Sequence, residues 1–168
     1  MDDVRWLTTE ELQAWTKFVA VVELLPGVLD SQLQRDADLS HFEYFVLAML
    51  SEAPRKTLRM TGLAFATNAT LPRLSHVVSR LEKRGYIERT ACAEDRRATN
   101  ATLTDAGWQK VVATAPGHVH TVRENVIDPL TAEDVADLNR VMGRVLAKLD
   151  PDHRFNYAAS SSEETSGR

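Results

Sequence analysis

The sequence predicts a mainly α-helical chain with a small β-hairpin wing: a winged helix-turn-helix flanked by N- and C-terminal helices. Three observations predict it. Residues 70–84 have the pattern of an amphipathic helix with a cationic outer side, and a short helix precedes them. The period then changes to alternation in "GYIERTA" (85–91) and again at 98–103, which marks two short strands around a charged tip. Apolar stripes at helical spacing occupy both ends of the chain, more than a compact central lobe needs.

Taken in order, Leu12, Trp15, Phe18, Val19, Val22 and Leu25 predict a helix over 10–25. Pro26-Gly27 interrupts it, and Val28, Leu29 and Leu33 resume the stripe, so a kinked continuation to about residue 35 is expected. "SHFE" (40–43) has the form of a capping box. It predicts a helix from 41 to about 52 that buries Phe42, Phe45, Val46, Met49 and Leu50 and ends at Pro54. Thr61 is the expected cap of a short helix through Leu63, Ala64 and Ala66, with Asn68 as its terminator. Thr70 opens the next helix, Pro72 sits in its first turn where a missing amide costs little, and Gly85 stops it. Residues 92–97 are the expected tip between the strands. The helical pattern returns at Thr104, with Ala106, Val111, Val112, Val119, Val122 and Val126 on one side and a break at Pro116-Gly117. Thr131 caps a last helix to about Leu149, and 151–168 reads as a polar, Ser-rich, mobile tail.

The helix at 70–84 carries the functional argument. Leu71, Leu74, Val78 and Leu81 are spaced 3, 4, 3, and so are Arg73, His76, Arg80 and Lys83. The second set is offset by two positions, about 200° around a helix of 3.6 residues per turn. One side is therefore core and the opposite side a cationic ridge, flanked by Ser75 and Ser79. Such a ridge is most often a solvated face. A short helix before it and a basic hairpin after it favour a helix that fits the major groove of DNA, where Arg pairs bidentately with guanine.

Charge distribution agrees. The chain is −4 overall, yet residues 55–97 hold ten basic and four acidic groups, a net +6 on an otherwise acidic body. Other classes find little support. There is no phosphate-binding glycine loop, HExxH, nucleophile elbow or metal-spaced Cys/His set, so neither an enzyme nor a cofactor is expected. Strictly apolar runs such as Phe18–Val22 are far below the ~20 residues of a membrane span. The acidic start Met1-Asp2-Asp3 and the single cysteine lead to the expectation of a reduced, cytoplasmic protein.

The hairpin stretch "DRRATNATLT" (95–104) is then informative. Asp95, Arg96 and Arg97, followed by five residues and Leu103-Thr104, match Asp-x-Arg, five residues, Leu-Thr, with Gly107 beyond. Together with "LSHVVSRLEKRGYIER" (74–89), this resembles the MarR family of winged-helix transcriptional regulators over most of residues 8–149. Ala93 departs from the proline common there. The resemblance implies a sequence-specific DNA-binding regulator, a repressor released by a small-molecule effector, that binds palindromic double-stranded operators as a homodimer. The implied organisation is one domain over 1–150, with a DNA-binding lobe at about 37–103 and dimerisation helices at about 8–36 and 104–149. Thr70, Pro72, Arg73, Ser75, His76, Ser79, Arg80 and Lys83 are the expected DNA-binding residues of the helix. In the wing, Arg97 is expected to enter the minor groove, Asp95 to orient a basic side chain and Arg96 to meet phosphate.

Weaker signals have plainer alternatives. Trp15, Phe18 and Tyr44 are candidates to line a pocket for a small aromatic or phenolic effector, against simple core packing. Cys92, near the tip and beside basic residues, is a candidate redox-sensing thiol, against an incidental exposed one. His118 and His120 diverge by about 200° on a helix, with Glu124 four residues beyond His120, so no metal site is expected from them unless the Pro116-Gly117 break reshapes that turn. A winged helix used only for protein contact is the alternative of a different class. The cationic ridge together with Arg97 argues against it.

Overall fold

The computed structural model describes residues 4–92 and 98–153. Six helices and three strands follow in the order α1 (Thr9–Ala37), α2 (His41–Glu52), β1 (Thr57–Arg59), α3 (Met60–Ala66), α4 (Leu71–Lys83), β2 (Ile87–Ala91), β3 (Thr99–Leu103), α5 (Asp105–Val122) and α6 (Ala132–Leu149). The strands form one antiparallel sheet in the order β1-β3-β2, with Leu58 opposite Ala101 and Ile87 opposite Leu103. This is the winged helix-turn-helix arrangement, α2-α3-α4 followed by the β2–β3 hairpin.

The core lies inside that lobe. Leu39, Val46, Leu47, Leu50, Leu63, Leu74, Val78, Leu81, Ile87 and Ala101 are buried, and Leu33 and Ala37 join them from the end of α1. α2 sits in the middle, and its buried residues are Glu43, Tyr44, Val46, Leu47 and Leu50. Of the expected set, Val46 and Leu50 are buried, whereas Phe42, Phe45 and Met49 are only half-buried and Glu43, Tyr44 and Leu47 take their place. A helix packed on several sides has no single apolar face, so one-face periodicity misassigns it.

Other differences have local causes. α1 runs through Pro26 without interruption, and α5 runs through Pro116. Each proline forfeits one backbone hydrogen bond; in α5 the buried Thr114 and Thr121 hold the helix on both sides of it, whereas in α1 only the part after Pro26 is packed within the chain. Thr8 forms a capping box with Glu11, which starts α1 one residue ahead of the expected helix. Before α3, β1 leads straight into the helix, so Arg59 is the N-cap, without a side-chain cap bond, and Thr61 lies inside the first turn. The α5 stripe is also different. Gly107, Val111, Thr114 and Thr121 are its buried residues, whereas Ala106, Val112 and Val119 are exposed. A π-helical turn, Arg123–Ile127, leads from α5 toward α6.

Gly107 shows why the hairpin and α5 meet as they do. A Cβ there would collide with the Tyr86 carbonyl oxygen and stand 2.7 Å from Leu103 Cδ1. The Thr104 amide donates to the same carbonyl at 3.0 Å, and its hydroxyl donates to Gly85 O at 2.6 Å. The end of the hairpin is thus stitched to the turn after α4.

By length and composition α1 would suffice to cross a membrane. Here its C-terminal third packs into the lobe through Leu29, Leu33 and Ala37, while Leu12, Trp15, Phe18 and Val22 remain exposed. α6 likewise buries none of its residues within the chain.

Candidate nucleic-acid interface

α4 owes its limits to its ends. Thr70 is the N-cap, its hydroxyl accepting from the Arg73 amide at 3.4 Å, and Pro72 occupies the first turn. At the other end Gly85 adopts φ 76°, a left-handed conformation that glycine takes without strain. The Gly85 amide donates to Glu82 O at 2.9 Å and the Tyr86 amide to Leu81 O at 3.0 Å, which closes the last turn. Leu74, Val77, Val78 and Leu81 face the core. Leu71, expected with them, is 44% exposed and lines a cleft beside the hairpin.

Pro72, Arg73, His76, Arg80 and Lys83 are exposed along the outer side, and Ser75 and Ser79 are half-buried beside them. The arginines turn toward the α1–α2 junction. The Arg73 guanidinium lies 4.3 Å from the centre of the Phe42 ring. Arg80 forms an ion pair with Glu43 at 3.1 Å. Arg84 donates to Asp38 Oδ2 at 3.1 Å and lies 5.1 Å from the centre of the Tyr86 ring. The ridge expected from the sequence is therefore exposed along its length, with Arg73 and Arg80 also tethered to the start of α2.

Between α4 and the hairpin runs a cleft of about 200 Å³ lined by Arg59, Met60, Thr61, Leu71, Ser75, Arg89, Ala98 and Thr99. Arg89 donates through Nε and Nη2 to Glu82 Oε2 at 2.9 and 2.6 Å. Those bonds hold the Glu82 carboxyl below its ordinary pKa and fix β2 against α4. Arg59, Arg89, Glu43 and Asp38 were not singled out from the sequence. Residues 38 to 43 reach α4 only through tertiary packing, and Glu43 had already been read as half of a capping box.

Asp95, Arg96 and Arg97 lie outside the described residues. Cys92 is 7% exposed, contrary to the expectation of an exposed thiol, and Arg59 Nη2 stands 3.5 Å from its Sγ. Its place beside β3, where its amide donates to Ala98 O at 2.9 Å, removes it from the surface. The three aromatic candidates are not brought together. Trp15 and Phe18 pair on the exposed face of α1, ring centres 6.1 Å apart. Tyr44 is buried at the α2–α5 contact against His118, centres 4.8 Å apart. His118 and His120 do point apart: His118 faces α2, and His120 is on the surface, 3.7 Å from Glu124.

A recognition-type helix with a polar outer face, a helix before it and an antiparallel wing after it define a winged-helix protein of the nucleic-acid-binding kind. Comparison with known proteins gives the family. The MarR family model matches residues 39–99. Sco3205 of Streptomyces coelicolor, a MarR family transcriptional regulator solved in complex with DNA, is 46% identical over 90% of this chain and 94% of its own, with a TM-score of 0.84. AbsC, a MarR family regulator of the same organism, is 36% identical over 87% of this chain and 98% of its own, with a TM-score of 0.81. PecS of Dickeya dadantii, an HTH-type transcriptional regulator, is 32% identical over 98 residues, 53% of this chain and 58% of its own. The chain thus spans little more than half the length of such curated relatives. It belongs to the MarR family of winged-helix transcriptional regulators.

Proposed function

We propose that the protein is a homodimeric repressor that binds a palindromic operator in double-stranded DNA, acts in the cytoplasm and is released by a small-molecule effector. The observation that carries this reading is the outer side of α4. His76 and Lys83 are exposed there, Ser75 and Ser79 flank them, and the opposite side is anchored by Leu74, Val77, Val78 and Leu81. On this reading α4 enters the major groove. Arg73 and His76 read bases, Thr70, Pro72, Ser75 and Ser79 approach the groove wall, and Lys83 meets phosphate. Arg73 is compatible with its stack on Phe42, since a guanidinium lying flat on a ring still presents its N–H edge. Arg97 is assigned to the minor groove, Arg96 to phosphate and Asp95 to orienting an arginine, all by family resemblance.

The dimer is supported by apolar rows that the chain leaves uncovered at both ends. Leu12, Trp15 and Phe18 on α1 and Leu138, Val141 and Val145 on α6 are more than a third exposed. A second copy is the occupant assigned to them. Trp15 and Phe18 therefore belong to this face. Tyr44, where α2 meets α5, is the candidate for sensing an effector. Gel-shift titration with the DNA upstream of the protein's own gene, paired with sedimentation, tests the reading. A dimer that shifts this fragment at concentrations where unrelated DNA stays free is expected. A monomer with equal affinity for both would overturn it.

A further inference from the structure

Two arginines of α4 and its C-cap, Arg84, are held from one direction. Arg84 bonds Asp38 at 3.1 Å, Arg80 pairs with Glu43 at 3.1 Å, and Arg73 stacks on Phe42 at 4.3 Å. Their spacing of 7 and 4 places them on one side of the helix. All three partners belong to residues 38–43, the junction between α1 and α2. The same junction is fastened on its other side to the long helices. The His41 amide donates to Asp30 Oδ1 of α1 at 2.8 Å. The His41 and Tyr44 rings meet His118 of α5, with centres 6.4 and 4.8 Å apart.

Glu43 is the member of this set with both oxygens engaged. Oε2 accepts from the Ser40 amide at 2.9 Å, closing the capping box, and Oε1 faces Arg80. Its side chain is only 8% exposed. The Arg80 side chain is 50% exposed, so the pair joins a buried, capped carboxylate to a guanidinium on the surface of the lobe. A short cap in the middle of the lobe thereby becomes a fixed point for the outer helix.

We infer that the 38–43 junction is a clasp that sets the orientation of α4 relative to α1 and α5, with Glu43 the positioning residue and Arg80 held for geometry rather than for reading bases. The inference rests on the operator-binding reading above. It makes the junction the route by which movement of the long helices reaches the DNA-facing helix, since one six-residue segment touches both.

The test is Glu43→Gln in the full chain. Glutamine retains the cap on the Ser40 amide and nearly the same volume, but removes the charge facing Arg80. Each chain becomes one unit more positive, so simple electrostatics predicts tighter binding to all DNA. The clasp predicts otherwise: operator affinity falls about tenfold, affinity for an unrelated duplex is unchanged or rises, and the ratio of the two collapses. Arg80→Gln produces a similar loss, and the double variant loses no more than either single one, as expected of residues acting as a unit. In the DNA-free protein, hydrogen exchange of the α4 amides rises severalfold in Glu43→Gln while that of α5 stays constant. Tighter operator binding by Glu43→Gln, with a loss confined to Arg80→Gln, would make Arg80 a direct DNA contact and overturn the inference. So would unchanged α4 exchange. Because exchange is read without DNA, it decides the clasp even if the wild-type protein were to prefer no operator.

Discussion

The ring of His118, on α5, lies against the ring of Tyr44, on α2, with centres 4.8 Å apart and planes inclined at 53°. His41 approaches the same imidazole from the first turn of α2, 6.4 Å away. Three ionisable rings therefore share one half-buried contact between the lobe and the long helices. Burial lowers the pKa of His118, with the neighbouring His41 adding to the effect. Burial lowers that of His41 too, partly offset by Asp30, and raises that of Tyr44. In each ring the shift favours the neutral form.

That contact predicts a pH dependence of stability. With folded-state pKa values below the ordinary 6.5, the unfolded chain binds protons that the folded chain refuses. Stability is thus complete above about pH 6.5 and declines as the pH falls toward the lowered values. The lowered carboxylates Asp36, Glu82 and Asp134 act in a more acidic range, about pH 4 and below. Urea midpoints between pH 7.5 and 5.5 should fall for the wild type and fall less for His118→Gln. Equal slopes for the two proteins would contradict the assignment.

Gly107 provides a test of the seam between wing and α5. An alanine methyl would meet the Tyr86 carbonyl and Leu103, both in well-packed surroundings. Overpacking of this kind costs about 1–3 kcal/mol, so Gly107→Ala should lower the thermal midpoint by several degrees. Gly27→Ala, with open space around its position, should not destabilise by steric conflict. Similar losses for the two variants would show that the seam is not the tight point.

Arg97, assigned to the minor groove by resemblance, has a distinct signature in salt. Loss of one DNA-facing cation reduces the log–log salt slope by up to about 0.9 on duplex DNA. Arg97→Ala should show this reduction and should weaken binding most on operators with A·T flanks, where a narrow groove concentrates negative potential. An unchanged slope would remove Arg97 from the interface.

Much of this architecture was legible because it is encoded locally. The capping box Ser40–Glu43 sets the start of α2, and Thr70 and Gly85 bracket α4; these features need only neighbours in sequence. β1 was not legible: Thr57–Arg59 is too short to alternate, and its strand character comes from pairing with β3, more than forty residues away. The site divided along the same line. Helical spacing identified the outer side of α4 but not the capture of Arg80 and Arg84 by Glu43 and Asp38, which depends on how the α1–α2 junction packs. The buried row of α5 was misread because it runs through Gly107, Thr114 and Thr121, residues that an apolar template ignores.

Two copies of α4 reading DNA together would leave a two-fold pattern on it, which base-resolved footprinting of the fragment upstream of the gene detects. Two protected half-sites of inverted sequence should appear, centred about one helical turn apart, ~34–36 Å, or a multiple of it, with His76→Ala relaxing preference at the same position in each. A single protected half-site, or protection that ignores sequence and is unaltered by His76→Ala, would contradict the account.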